Sequence, residues 1–458
     1  MDGPIAAPTE SPLPARVPLA TEPMGILGSL KAARRNVLSI LPEIATRQPM
    51  VSGETGKRWH MVMDPGALRR IFLENLENYP KSDVTKNLLK PAIGESLFIA
   101  EGAHWRWQRR AAAPAFTHRN IANLAPMMSH AADRATERIA AAGSKRAVDV
   151  AAEMVTATYE VISDVTFSGE RGLDRTAVHR AIDGYIAETG KISLFDILGL
   201  PTWVPRPGRM IAGSTLKEMK RVADHAVNAR RESGPKPVPD LLDLLLAGVD
   251  PETKRQMNTE ELRDNLLTFI VAGHETTALT LGWALYLVAF DPERQARARE
   301  EAQSVLNGRT ATAEDVPNLP YIRAIVDETL RLYPPAALVS RTARSSDTLG
   351  GREIRTGDTV MIPIYTLHRH KMLWSEPDAF RPERWLAAQK PERYSYLPFG
   401  DGPRICIGAS FALQEAVIIL STLLSRFEFS LVPGRTPDPV MILTLRPEGG
   451  VWLMAKPL

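Results

Sequence analysis

The stretch from Asn265 to Phe290 constrains this chain more than any other. It is the most apolar segment, and by length alone it could cross a membrane. Yet Ala272-Gly273-His274-Glu275-Thr276-Thr277 stands in its middle, and a buried acid with hydroxyls is costly unless the groups are paired or used. A long helix at the centre of a soluble core accounts for both facts better. Asn258 and Glu261 read as a capping box that opens it. Gly273 removes a side chain where a flat ligand could press on the helix. Thr276 lies about one turn later on the same face. A threonine hydroxyl turned away from the carbonyl one turn back can open a groove that holds water. His274 reads as a pocket-wall or satisfied core histidine rather than a metal ligand.

The only cysteine supplies the second constraint. Cys406 sits in Leu397-Pro398-Phe399-Gly400-Asp401-Gly402-Pro403-Arg404-Ile405-Cys406-Ile407-Gly408. Gly400, Gly402 and Gly408 permit a tight turn or the close approach of a flat ligand, and Pro403 leaves one position without an N–H. Ala409 to Val417 reads as the start of an amphipathic helix, so Cys406 falls just before a helix N-terminus, where a thiolate is favoured. Taken alone, a lone cysteine is more often a small buried hydrophobe. The surrounding frame shifts that balance. Phe399, Gly402, Arg404, Cys406 and Gly408, with Ala412 one turn on, satisfy Phe-x-x-Gly-x-Arg-x-Cys-x-Gly-x-x-x-Ala. This frame resembles the haem-ligand loop of the cytochrome P-450 superfamily, and the resemblance implies that Cys406 is the axial thiolate of a haem b iron.

Further segments carry the same resemblance in order along the chain. Trp105 and Arg109 share a helix face and offer an indole N–H and a guanidinium fork. By themselves they suit a solvated basic helix; the family binds a haem propionate with such a Trp-x-x-x-Arg. Arg106, Arg110 and Arg119 are left as an exposed positive surface. Ala272, Gly273, Glu275 and Thr276 resemble the family's Ala/Gly-Gly-x-Asp/Glu-Thr, in which acid and alcohol relay protons to the dioxygen being reduced. Glu275 stands where Asp is commoner. Glu328 and Arg331, three apart on an apolar helix, can make a bidentate contact, and a buried pair needs further partners. The family adds an arginine from Pro-Glu-Arg, matched by Pro382-Glu383-Arg384, so Glu328, Arg331 and Arg384 would form a structural triad. Arg341 matches a propionate-binding arginine, and His368 is placed to approach the haem edge. Ile354 to Pro363 reads as a hairpin, with turns at Gly350-Gly351 and Thr356-Gly357-Asp358.

The expected architecture is mainly α with a small β region, a single haem domain over residues 24–458 after an extended or disordered tail at 1–23. Residues 50–53 and 58–63 read as a short hairpin, and Asp64 as the cap of a helix to Asn75. The Pro-interrupted apolar interval Lys191 to Pro207 is either a lid over the substrate entrance or a loop packed on its own domain. A net charge of +3 is too small to suggest nucleic acid. A single cysteine excludes an internal disulfide and fits the cytoplasm. The N-terminal stretch has no basic region before an apolar run, so no signal or membrane anchor is expected. No phosphate loop or dinucleotide fingerprint occurs, which puts flavin and nicotinamide on a separate protein.

The function implied is mono-oxygenation of an apolar small molecule by a monomeric, soluble enzyme of the bacterial type. Electrons would come from a ferredoxin or flavodoxin with its reductase. A peroxide-driven enzyme and a haem sensor or carrier without turnover are the alternatives. Complementary charge between an acidic ferredoxin and the arginine surface would steer docking.

Overall fold

The computed structural model describes residues 12–167 and 207–458. The Lys191 to Pro207 interval therefore lies outside the described residues, save for its last position. Helices dominate, and small sheets pack against them. The helices are α1 (Ile26–Arg35), α2 (Pro65–Arg69), α3 (Asp83–Ile93), α4 (Gly102–Ala112), α5 (His118–Ala142), α6 (Val150–Phe167) and α7 (Pro207–Ser233). Then follow α8 (Leu241–Leu246), α9 (Thr259–Phe290), α10 (Pro292–Leu306), α11 (Pro320–Leu332), α12 (Ile364–Leu367) and α13 (Ala409–Arg426).

Helix α9 is the axis of the fold. Its capping box forms: the Asn258 side chain accepts from the Glu261 N–H at 2.9 Å, and the Glu261 carboxylate accepts from the Asn258 N–H at 3.0 Å. These bonds satisfy donors that a helix start leaves free. From Thr277 to Ala289 every residue is buried, so the helix needs apolar neighbours on all sides. They come from α6, α7, α11 and α13, which all pack against it. Pro292 and Pro320 open α10 and α11, where a missing N–H costs nothing.

The main sheet has the order β1-β2-β7-β4. Strands β1 (Met50–Thr55) and β2 (Lys57–Val62) form the antiparallel hairpin, followed by β3 (Ala147–Asp149), β4 (Val339–Thr342), β5 (Asp347–Leu349), β6 (Arg352–Ile354) and β7 (Thr359–Ile362). The hairpin expected over Ile354 to Pro363 does not form. Instead β6 pairs with β5 across Gly350-Gly351, and β7 lies between β2 and β4. The Thr356-Gly357-Asp358 turn bonds to Ala343 through its own backbone, Gly357 N–H to Ala343 O at 2.8 Å and Ala343 N–H to Asp358 O at 3.0 Å, and this feeds β7 onto β4. Strands β8 (Phe427–Leu431), β9 (Asp438–Met441), β10 (Leu445–Glu448) and β11 (Trp452–Pro457) complete the set; β8, β11 and β3 make one sheet and β9 with β10 a hairpin.

Two shorter expectations are revised. Asp64 caps α2, accepting from the Ala67 N–H at 2.7 Å, but that helix passes into a π turn at Arg70–Glu74 rather than running on to Asn75. The N-terminal stretch from residue 12 is extended, yet it is not loose. Val17 is buried and its N–H donates to the Tyr365 hydroxyl at 2.9 Å, while the Ala15 N–H donates to the Tyr286 hydroxyl at 3.0 Å. From residue 15 this stretch is therefore tied to the helical core.

Candidate active site

The Cys406 loop begins at Leu397 and is shaped by two glycines with positive φ, Gly400 at 71° and Gly402 at 70°. A Cβ on Gly402 would lie 2.1 Å from the Phe72 carbonyl oxygen, so this position admits no side chain. The Cys406 N–H donates to the Phe399 carbonyl at 2.9 Å, which closes the loop. Helix α13 starts at Ala409, capped by Gly408, so Cys406 does precede a helix N-terminus. By area Cys406 is exposed, yet burial is the first influence on its thiol and pushes it up, opposed by the Gly408 N–H and the Arg109 charge. Both hold if the surface it shows lines an internal recess rather than the outside. Gly408 has an ordinary φ of −89° and open space where its Cβ would stand. Its half-buried partner one turn on is Ala412, and Phe399 packs half-buried at the loop's start.

Across from the loop, Ala272 is exposed in the middle of α9, and Gly273, Glu275 and Thr276 are only partly buried. Glu415 of α13 is pushed far above the usual carboxylate range by burial, opposed by Thr277 of α9, where α13 packs against α9. The expectation for Gly273 is corrected. Its missing Cβ would stand 3.3 Å from Ile162 Cδ1 of α6, so the glycine serves close helix packing rather than a flat ligand. Ala272 is the small residue that faces open space. The Thr276 hydroxyl stays on its own helix, donating to the Ala272 carbonyl at 2.7 Å, so it opens no groove. Glu275 turns from it, accepting from the Thr444 hydroxyl at 2.9 Å and from the Arg446 guanidinium. Sequence spacing gave no signal for either partner. His274 is buried among α9 neighbours, its Nδ1 2.9 Å from the Ile270 carbonyl.

A cluster of cations lies beside the thiol. Trp105 is buried, with the Arg404 guanidinium 4.5 Å over its ring. Arg404 donates to the Ala100 carbonyl at 3.1 Å and pairs with Glu101. Arg341 is buried and burial lowers it to about 10, with Arg404 adding repulsion. Arg109 is half-buried and also lowered by burial, with the Cys406 charge opposing. Lys81, which sequence reasoning missed, is pushed well down by burial and by Arg341 and Arg404. Among the described residues neither Arg109 nor Arg341 has a carboxylate partner. Buried or half-buried guanidiniums without an acid are an unstable arrangement unless anions complete it. A flat macrocycle with an iron for Cys406 and two carboxylates for these cations fits the donor set, and the small residues Ala272, Gly408 and Ala412 leave room for its faces.

Beneath the loop, Glu328 and Arg331 are fully buried. Glu328 Oε1 accepts from Arg331 Nη2 at 2.8 Å, Arg384 Nε at 3.0 Å and the Arg381 N–H at 2.8 Å, while Oε2 accepts from Arg331 Nε and Trp385 Nε1, both at 2.9 Å. Burial pushes Glu328 up, but the arginines and the N–H outweigh it and hold the carboxyl low and ionised. Arg331 also donates to the carbonyls of His368, Pro377 and Ala379.

His368 does not belong to the recess. It is buried, its Nδ1 3.1 Å from the Arg331 carbonyl and its Nε2 2.8 Å from the Leu397 N–H, so the proton resides on Nδ1 and Nε2 accepts. It ties α11 to the start of the Cys406 loop. Burial and the Arg331 charge lower it to about 3. Since an unfolded histidine titrates near 6.5, the unfolded chain holds the extra proton between those values, and stability falls as pH drops through that window. His368→Gln should flatten the pH dependence of the urea midpoint between about pH 6.5 and 4. An unchanged slope would mean that His368 can accept a proton in the folded state.

The surface arginines also differ from expectation. Arg106 pairs with Glu77, and Arg110 holds Asp250 at 2.6 Å and Glu252 at 3.1 Å. Only Arg119 of the three is exposed with no ion pair among the described residues. This helix edge is therefore largely neutralised.

The cytochrome P450 family model matches residues 18–454. The chain is 32% identical over 418 residues to cyclooctatin synthase of Streptomyces melanosporofaciens, covering 90% of both chains. Cyclooctat-9-en-7-ol 5-monooxygenase of the same organism is 32% identical over 446 residues, 94% of this chain and 93% of that one. A cytokinin hydroxylase of Arabidopsis thaliana is 30% identical over 440 residues, 92% and 85%. Among solved structures, the cytochrome P450DA haem domain aligns with a TM-score of 0.79 at 27% identity over 90% of both chains. The family match runs from the extended N-terminal stretch into the last strand and takes in the thiol, the cations and α9 alike, and with these relatives it shows that the chain belongs to the cytochrome P450 family.

Proposed function

We propose that this cytochrome P450 mono-oxygenase holds haem b by Cys406 and oxidises an apolar small molecule with electrons from a separate ferredoxin or flavodoxin. Haem is the cofactor its family implies, and substrate, dioxygen and a redox partner follow from mono-oxygenation. One observation carries the finer cofactor reading: among the described residues Arg109, which acts on the Cys406 thiol, and the buried Arg341 are cations without a carboxylate ion pair. Two propionates would complete them. When bound, the haem would supply the oxidising chemistry, with thiolate ligation favouring O–O cleavage.

The remaining tasks fall to the protein. Trp105, Arg404 and Lys81 line the cationic edge, Gly408 and Ala412 leave space on one side, and Ala272 and Thr276 on the other. Glu275 and Thr276 are the candidate proton carriers. The relatives named for 5-mono-oxygenation of cyclooctat-9-en-7-ol and for cytokinin hydroxylation support C–H hydroxylation of an organic ring compound. We place the enzyme in the cytoplasm, a reducing compartment that suits its single free cysteine. Turnover under labelled dioxygen, with ferredoxin, reductase and a panel of apolar compounds, tests the reading. One labelled oxygen atom per product supports it; oxidation that proceeds only with added peroxide overturns it in favour of a peroxygenase.

The two loop glycines separate fold from cofactor. Gly402→Ala forces a Cβ against the Phe72 carbonyl at a positive φ and should cost more than about 1 kcal/mol even without haem. Gly408→Ala meets no protein atom, so its apo-protein should unfold at the wild-type denaturant concentration while haem is retained less tightly. Equal haem retention by Gly408→Ala and wild type would show that nothing flat approaches this backbone.

A further inference from the structure

We infer that Arg446, on the β10 hairpin, is the positioning residue that sets when Glu275 is free to carry a proton. The inference rests on the reading of Glu275 as a proton carrier. In α9 the carboxylate is largely buried, its side chain 13% exposed. Its two partners come from the far end of the chain, the Thr444 hydroxyl at 2.9 Å and the Arg446 guanidinium.

The hairpin that carries them is fastened. The Leu445 N–H donates to the Pro335 carbonyl at 3.0 Å, and the Trp283 indole donates to the Leu445 carbonyl at 3.2 Å. Trp283 lies two turns beyond Glu275 on the same stripe of α9, so the strand that carries Arg446 is held along that stripe. Arg446 uses Nη2 for Glu275, and its Nε is buried without a partner. Half of the guanidinium fork is thus unused, and a small rotation of the carboxylate would engage both donors. Thr276, the adjacent residue, has its hydroxyl on the Ala272 carbonyl. Acid and alcohol consequently point to different partners, and a proton passes from Glu275 toward Thr276 only after the carboxylate leaves Arg446. The clamp confines the acid to one position until that exchange, while the salt bridge offsets the cost of its burial.

The test compares Glu275→Gln, Arg446→Met, Arg446→Lys and the double variant Glu275→Gln with Arg446→Met, all as holoenzyme. The first readout is thermal melting. Each single removal should lower Tm, and the double variant should fall no further than the larger single effect. The second is product formed per NAD(P)H consumed, with redox partners supplied. Glu275→Gln should lose several-fold in coupling, Arg446→Met should fall to a similar level, and Arg446→Lys should recover part of the loss. All variants should keep the haem-thiolate band of the reduced carbon monoxide complex. Additive Tm losses, or full coupling in Arg446→Met while Glu275→Gln is uncoupled, would overturn the inference. Full coupling in Glu275→Gln would instead remove the proton-carrier reading on which it rests, whatever the melting cycle shows.

Discussion

Replacing Arg331 by alanine is expected to cost roughly 3–5 kcal/mol of stability, because it strands a buried carboxylate. Glu328 is wholly enclosed and would lose two of its five hydrogen bonds, those from Arg331 Nε and Nη2. The Arg381 N–H and Arg384 would remain on one Glu328 oxygen and Trp385 on the other. Three carbonyls would also lose a donor, at His368, Pro377 and Ala379. Lysine offers no remedy, since an ammonium cannot reproduce a planar fork that serves a carboxylate and three carbonyls at once. The damage should reach the Cys406 loop along a short path. Arg331 holds the His368 carbonyl, and the His368 ring accepts from the Leu397 N–H. Arg331→Ala should therefore give protein with a lowered denaturation midpoint and little bound haem. Haem content and midpoint equal to wild type would show that the network is dispensable.

The same network shows what a sequence can and cannot disclose. Glu328 and Arg331 are three apart on one helix, so their contact was legible from periodicity. So were the Asn258 and Glu261 capping box and the loop turns at Gly400 and Gly402, each set by residues a few positions apart. Trp385 and His368 act across tens of residues, and no local spacing announces them. Lys81 joins the cation cluster for the same reason: Arg341 and Arg404 approach it only in the folded chain. The acid in α9 was legible as unusual, but Arg446 is 171 positions away. Gly273 is a different failure. A glycine in a helix marks something close, and here the close object is Ile162 of α6 rather than a ligand. The basic surface at Arg106 and Arg110 also failed because composition counts charges but not their partners.

Cys406→Ala should leave the chain folded and abolish the red-shifted Soret band of the reduced carbon monoxide complex, which depends on thiolate ligation. The two halves of this expectation have separate causes. Cys406 makes few packing contacts, since its surface is exposed by area, and its backbone bond to Phe399 does not involve the sulfur. Truncation removes little apolar burial, so the melting temperature of the apo-protein should hardly move. The sulfur itself has no substitute. It is the only cysteine in the sequence, and among the described residues no cluster of His, Cys, Asp or Glu offers another metal site. Burial raises the thiol and the Gly408 N–H and Arg109 oppose that rise, so the loop supplies part of the stabilisation a thiolate needs and an iron would supply the rest. Cys406→His offers a neutral nitrogen in place of the anion, so haem could still bind but the band should move toward that of histidine-ligated haem proteins. A thiolate-type band in either variant would mean that the iron is held elsewhere, and the site assigned between α9 and the Cys406 loop would be wrong.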